Sequence, residues 1–240
     1  MGVDREGNRR VKAIVFGATG MIGQGVLREC LLDPGVERVL TVGRNPTGRQ
    51  HDKLHEIAHR DLLDFTTIRN ELAGYNACFF CLGVTSAGMS EPDYRRVTYE
   101  ITLAAARTLV ELNPAMTFIF VSGAGADSSE RGRIMWARVK GATENAILAM
   151  PFKASYVFRP AFVQPLHGIT SRTPWYNALY RVFGPLFPLL SRLAPGHMLT
   201  TEQIGKAMLI LARRSTLREG SRVLASRDIR AVAASATLLT

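Results

Sequence analysis

The residues with the clearest chemical meaning lie near the start of the chain. In "FGATGMIGQG", Gly17, Gly20 and Gly23 recur at every third position, directly after a β-branched apolar run and at the head of a segment with helical periodicity. Gly17 suits a tight turn, Gly20 lets backbone approach a pyrophosphate, and Gly23 lets helix pack closely on strand. The helix N-terminus adds unpaired N–H groups and a positive dipole end. With Thr19, Met21 and Ile22 in the same turn, the stretch reads as the phosphate cradle of a dinucleotide site.

Three further clusters extend that site. In "TVGRNPTGR" an acidic residue would accept from a ribose 2'-hydroxyl, whereas Arg44 offers a planar donor fork to a 2'-phosphate, with Arg49 as a weaker second. The expected cofactor is therefore NADP(H) in preference to NAD(H). In "RDLLD", Asp61 is placed to accept from an adenine amino group and Leu62 to pack on the ring, with Asp64 as the cap of the next segment. In "CLGVT", Gly83 lets the chain pass close to the cofactor.

These residues need a scaffold, and the periodicity supplies one. "VKAIVFG" reads as a strand, "MIGQGVLRECLL" as a helix, "ERVLTVGR" as a strand and "LHEIAHRD" as a weaker strand. Then follow "FTTIRNELA" as a helix, "ACFFCLG" as a strand, "YRRVTYEITLAAARTLVEL" as one long helix and "AMTFIFVSG" as a strand. "MWARVKGATENAILAM" (helix), "ASYVFRP" (strand), "TTEQIGKAMLILAR" (helix capped by Thr200 or Thr201) and "SRVLAS" (last strand) complete the series. Alternation of this kind implies an α/β fold with a doubly wound parallel sheet, the Rossmann arrangement. The expected organisation is a flexible tail over 1–10, one NAD(P)-binding domain over 11–229 and a C-terminal tail over 230–240. Within the domain, the proline-punctuated, aromatic-rich stretch 161–199 forms a small cap over the cofactor cleft.

Composition excludes several other classes. The chain has 240 residues, 47% of them hydrophobic and 21% charged, which fits one globular domain. Its net charge of +10 suits anionic small molecules; the arginines are scattered and no basic run alternates with aromatics, so nucleic acid is not an expected partner. Cys30, Cys78 and Cys81 do not make a disulfide framework, and residues three apart on a strand face opposite ways, so Cys78 and Cys81 read as buried thiols. "MGVDREGNRR" lacks the apolar core of a signal peptide, and "WYNALYRVFGPLFPLL" falls short of the roughly 18–20 apolar residues of a spanning helix. A cytoplasmic location is expected.

"GATGMIG", "GR", "DLLD", "CLG", "FVSGAG", "WARVKGATEN" and "VFRPAF" occur in the order and spacing of the short-chain dehydrogenase/reductase superfamily. Over roughly residues 11–229 the chain resembles its atypical branch of NAD(P)H-binding proteins, and is similar to epimerase-like bacterial proteins and to the oxidoreductase-like Tat-interacting proteins of animals. The resemblance implies a catalytic serine, tyrosine and lysine. By position these are Ser122, Trp136 and Lys140.

Trp136 stands in the tyrosine's place, and its indole N–H is a donor only, so it cannot perform that tyrosine's acid/base work. Lys140, four residues on and on the same helical face, keeps the family role of binding the nicotinamide ribose. Ser122 is expected to bind a carbonyl oxygen, while His167, Tyr176 and His197 are cap residues that read first as packing or solvent-facing. "FRPAF" has Ala161 where Arg-Pro-Gly is commoner.

The cap, flanked by Arg172, Arg181 and Arg192, reads first as the wall of an apolar substrate pocket, next as an oligomer face of a homodimer, and last as a surface lying on a membrane. The expected activity is hydride transfer to or from an apolar carbonyl, enone or quinone-like substrate. The alternative is a non-catalytic NADPH sensor that acts through a partner.

Overall fold

The computed structural model describes residues 10–169, 198–214 and 221–235. The first nine residues of the expected tail, and the cap positions Arg172, Tyr176, Arg181, Arg192 and His197, lie outside the described residues.

The elements in chain order are β1 (Val11–Phe16), α1 (Met21–Leu32), β2 (Val36–Gly43), β3 (Leu54–Ala58), β4 (Ala77–Phe80), α2 (Glu91–Arg95) and α3 (Ile101–Leu112). They continue with β5 (Thr117–Val121), α4 (Met135–Ala149), β6 (Ala154–Arg159), β7 (Phe162–Gln164), β8 (Met198–Thr200), α5 (Thr201–Arg213), β9 (Val223–Ala225) and α6 (Ser226–Ala234). Seven strands form one parallel sheet in the order β3-β2-β1-β4-β5-β6-β9. The order reverses between β1 and β4, and the crevice at the C-terminal ends of those two strands is where doubly wound sheets take their ligands.

Strand side chains alternate between two cores. Val15, Phe79, Ile119 and Phe158 face one side, packed with Leu27 of α1, Ile204 of α5 and Ile229 of α6. Phe16, Phe80, Phe118 and Phe120 face the other, packed with Leu109 of α3 and Ile147 of α4. Burial on both faces is why β4 and β5 read as unbroken apolar runs instead of alternating patterns. Cys78 and Cys81 follow the alternation and pack into opposite cores.

Four details differ from the sequence reading. "FTTIRNELA" makes two short 3-10 turns, Thr66–Ile68 and Asn70–Leu72, in place of a helix. Asp64 ties the first of them down, accepting from the Thr66 backbone N–H (2.8 Å) and hydroxyl (2.5 Å). The long helix is real but carries a π-helical turn at Arg96–Glu100 between α2 and α3. Parallel pairing of β7 with β8 is an element the sequence reading lacked. The boundary at 229 also moves, because α6 runs to Ala234 with Ile229 and Ala233 buried in the core. Thr200 caps α5 in a reciprocal box with Gln203.

Candidate functional site

The first part of the site is built on the β1–α1 turn. Gly17 has φ +73°, and a Cβ there would lie 2.6 Å from the Leu82 backbone nitrogen, so only glycine lets this turn pass under the end of β4. A Cβ on Gly23 would sit 2.1 Å from the Gly17 carbonyl oxygen, which fixes the close approach of α1 to the turn. Gly20 is the N-cap of α1, with no side chain to cap it and no acidic residue in the first turn. The positive end of the helix is thereby left for an external anion.

Beside this turn an open cleft is lined by Gly17, Thr19, Thr41, Arg44, Thr47 and Leu62, among others. Its rim is organised by Glu56 of β3, whose Oε2 accepts from the Thr41 hydroxyl (2.9 Å) and the Thr47 backbone N–H (2.8 Å). A glycine cradle, an uncapped helix terminus and a cleft carrying Arg44 and Leu62 fit the phosphates, ribose and ring of an adenine dinucleotide.

Of the expected cofactor residues, Gly17, Thr19, Arg44 and Leu62 line this cleft. Gly20 and Gly23 shape it from behind, and Met21 and Ile22 pack on the core. Gly83 stands free at the end of β4, with nothing within 4 Å of an added Cβ. Asp61 is exposed and spends its Oδ1 on the Leu63 N–H (3.0 Å); it does not line the cleft, and Arg49 is likewise exposed away from it. The sequence reading missed Thr41, Asn45, Thr47 and the tethering Glu56.

The second part lies where α4 crosses the end of β5. Trp136, Lys140 and Glu144 occupy successive turns of one α4 face. The Trp136 ring lies against the backbone of the loop after β5, 3.2 Å from where a Cβ on Gly125 would sit. Lys140 Nζ is 5.6 Å from the centroid of the Phe120 ring. Phe120 and Ser122 share one side of their strand, and the Ser122 hydroxyl donates to Glu144 Oε1.

Glu144 is wholly buried and is the hub of this face. Arg159 of β6 brings its Nε to both carboxylate oxygens (3.1 Å each) and its Nη2 to Oε2, while the same Nη2 also donates to Ser128 Oγ (2.6 Å). Glu144 accepts from the Arg159 guanidinium, and the Ser122 hydroxyl is the donor of the remaining bond. The Ser122 hydrogen is thus committed to Glu144. Neither Glu144 nor Arg159 was singled out in the sequence; the available signal was a carboxylate four residues after Lys140 on the same face.

Lys140 is half-buried. Desolvation pulls its pKa down to about 8, a shift opposed by the charge of Glu144. All five lysines of the chain are described. Lys12 and Lys206 pair with carboxylates, and Lys53 and Lys153 bond to backbone carbonyls. Of the five lysines, Lys140 alone has a side chain with neither an ion pair nor a hydrogen bond; its Nζ lies over the Phe120 ring. His167 has φ +58°, and its Nε2 lies 3.0 Å from Glu202 Oε2. No cluster of His, Cys, Asp and Glu among the described residues could hold a metal, and no described helix is long and apolar enough to cross a membrane.

Sheet order, glycine cradle and cleft define a Rossmann-type α/β protein with an oxidoreductase-like fold. The comparisons narrow this. Residues 13–128 match the model of the NAD dependent epimerase/dehydratase family. The chain is 30% identical over 154 residues to Protein FMP52-2, mitochondrial, of Scheffersomyces stipitis, a match covering 63% of this chain and 66% of that one. It is 25% identical over 208 residues to Protein FMP52, mitochondrial, of Debaryomyces hansenii, covering 84% and 88%.

Among solved structures, the Bordetella bronchiseptica enzyme WbmF in complex with NAD+ superposes with a TM-score of 0.64 at 14% identity, over 97% of this chain and 79% of that one. An oxidoreductase of the short-chain dehydrogenase/reductase family from Burkholderia thailandensis gives 0.63 at 16%, over 96% and 98%. The solved structures share the Rossmann fold of this chain, and the family model matches its N-terminal half, residues 13–128. One expectation is overturned: the cytoplasmic location does not stand, because the fungal relatives are named as mitochondrial proteins.

Proposed function

We propose that the chain is an NADP(H)-dependent oxidoreductase that moves a hydride to or from an apolar carbonyl, enone or quinone-like substrate. The observation that carries this reading is the cleft at the head of α1, where the cradle of Gly17 and Thr19 continues into Arg44 and Leu62. Arg44 is assigned to a 2'-phosphate, the first helical turn to the pyrophosphate, and Lys140 to the nicotinamide ribose. A bound nicotinamide would supply the hydride; the protein supplies orientation and exclusion of water.

Apolar substrates are favoured by the rim. Val84 after β4, Ile134 at the head of α4 and Phe162 after β6 all belong to the C-terminal edge of the sheet and are 44%, 57% and 62% exposed. Three large apolar side chains exposed at one edge suit a substrate with an apolar body. The mitochondrial relatives supply the address that replaces the cytoplasmic one in this reading.

A second reading, a nucleotide sensor without turnover, is favoured by one observation: neither Trp136 nor Ser122 offers a titratable proton. NADPH oxidation in the presence of quinones and enones separates the two. Turnover supports the enzyme, and Trp136→Tyr should then raise it; nucleotide binding with no turnover of any acceptor supports the sensor. In fluorescence titration Arg44→Ala should lose the preference for NADPH over NADH. Equal binding of both nucleotides by the unmodified chain would remove the role given to Arg44.

A further inference from the structure

We propose that Lys140 is the group that passes a proton to the substrate oxygen in this site, in place of the absent tyrosine. The proposal rests on the hydride-transfer reading and names its proton source. It follows from how the hydrogens around β5 and α4 are committed. Trp136, in the tyrosine position, has an N–H that does not ionise in the working range. Ser122 has one hydrogen, and Glu144 holds it. Glu144 is an ion pair with Arg159, and neither has a proton to spare. The ammonium on the same α4 face, one turn from both Trp136 and Glu144, is the remaining donor among these side chains.

The surrounding charges leave it free to act. Of the elements packed against α4, β6 presents Arg159, already bound to Glu144, and α2 presents Glu91, bound to Arg138. Arg95 lies over the Tyr99 ring, Tyr94 is buried, and Glu111 of α3 pairs with Arg69. Asp127 in the loop after β5 accepts from Ser129 and Gly132. Among the described residues, the charge that bears on Lys140 is that of Glu144. An ammonium held near pKa 8 is a stronger acid than an ordinary lysine and is still mostly protonated at neutral pH, which is what a general acid needs.

In the step itself, a bound reduced nicotinamide would supply a hydride to the carbonyl carbon of the substrate, and the π pair would move onto oxygen. An Nζ–H bond breaks and its proton joins that oxygen. The electron pair left on nitrogen then takes up a proton from water, restoring the ammonium. Atoms and charge balance with one hydride and one proton consumed.

The test uses the full chain with NADPH and a quinone or enone. The unmodified protein should show a kcat that is level below pH 8 and falls about tenfold per pH unit above it. Lys140→Arg keeps the charge but does not titrate in this range. It should lose that limb and about 100-fold in kcat, with NADPH affinity by fluorescence changed less than about tenfold.

Ser122→Ala should cost kcat less than Lys140→Arg does. NMR of the 13C-methylated lysines, with no nucleotide present, should show the Lys140 signal titrating near 8. A Lys140 midpoint above 10, a falling limb that survives in Lys140→Arg, or a Ser122→Ala loss as large as that of Lys140→Arg overturns the proposal while hydride transfer stands. Nucleotide binding without turnover of any acceptor overturns both.

Discussion

Glu144 and Lys140 share a face of α4 but have opposite effects on stability. Glu144→Ala would strand a partly buried arginine fork and a buried hydroxyl, and loss of one partner of a buried pair costs about 3–5 kcal/mol; urea unfolding should show a loss toward the lower end, since Arg159 keeps some exposure. Lys140→Met should instead stabilise the protein at pH 7, because it removes a desolvated charge that the fold carries without an oxygen partner.

The linkage sign can be checked in the same experiment. The folded pKa of about 8 is below the ordinary lysine value of about 10.4, so between the two the unfolded chain holds more protons and stability rises with pH. Below pH 8 both states are protonated and that gain is absent. Unfolding free energies at pH 8 and 10 should therefore climb in the unmodified protein through this group, and Lys140→Met should climb less; equal slopes would contradict the assigned titration. At this scale the family resemblance singled out Ser122, Trp136 and Lys140, which the structure sets at the end of β5 and on α4. The Glu144–Arg159 pair was not legible, because it joins a helix to a strand through contacts that no local pattern encodes.

Two glycines fix how elements meet, and each makes a prediction at that scale. A Cβ on Gly141 would fall 1.7 Å from the Asp127 carbonyl, so Gly141→Ala must push α4 off the loop that follows β5. The expected cost is about 1–3 kcal/mol or more, with weaker nucleotide binding because Lys140 moves with its helix; unchanged affinity and stability would contradict the packing described. Gly23→Ala should abolish nucleotide binding by forcing α1 away from Gly17, a loss that fluorescence titration reads directly.

Most elements could be read from periodicity, because parallel strands buried on both faces and amphipathic helices leave strong signals. "FTTIRNELA" failed because paired threonines and the Asp64 turn favour 3-10 geometry over a full helix. The π turn at Arg96–Glu100 adds no residue type that marks it. β7 and β8 are three residues each and pair across a long separation, beyond the reach of any local window.

Over the whole molecule, the parallel sheet, the switch point between β1 and β4 and the net charge of +10 favour an anionic dinucleotide at one edge. A ligand bound only by the folded state at 100 times its Kd adds about 2.7 kcal/mol of stability. NADPH at that excess should raise the unfolding midpoint by several degrees, and Gly23→Ala should not respond. The central claim is that the head of α1 receives a phosphorylated pyridine dinucleotide. Parallel fluorescence titrations of the purified chain with NADPH and NADH test it most directly. The account predicts saturable binding, with NADPH tighter by about tenfold from the charge-assisted contact to Arg44; no uptake of either nucleotide at millimolar concentration would contradict it.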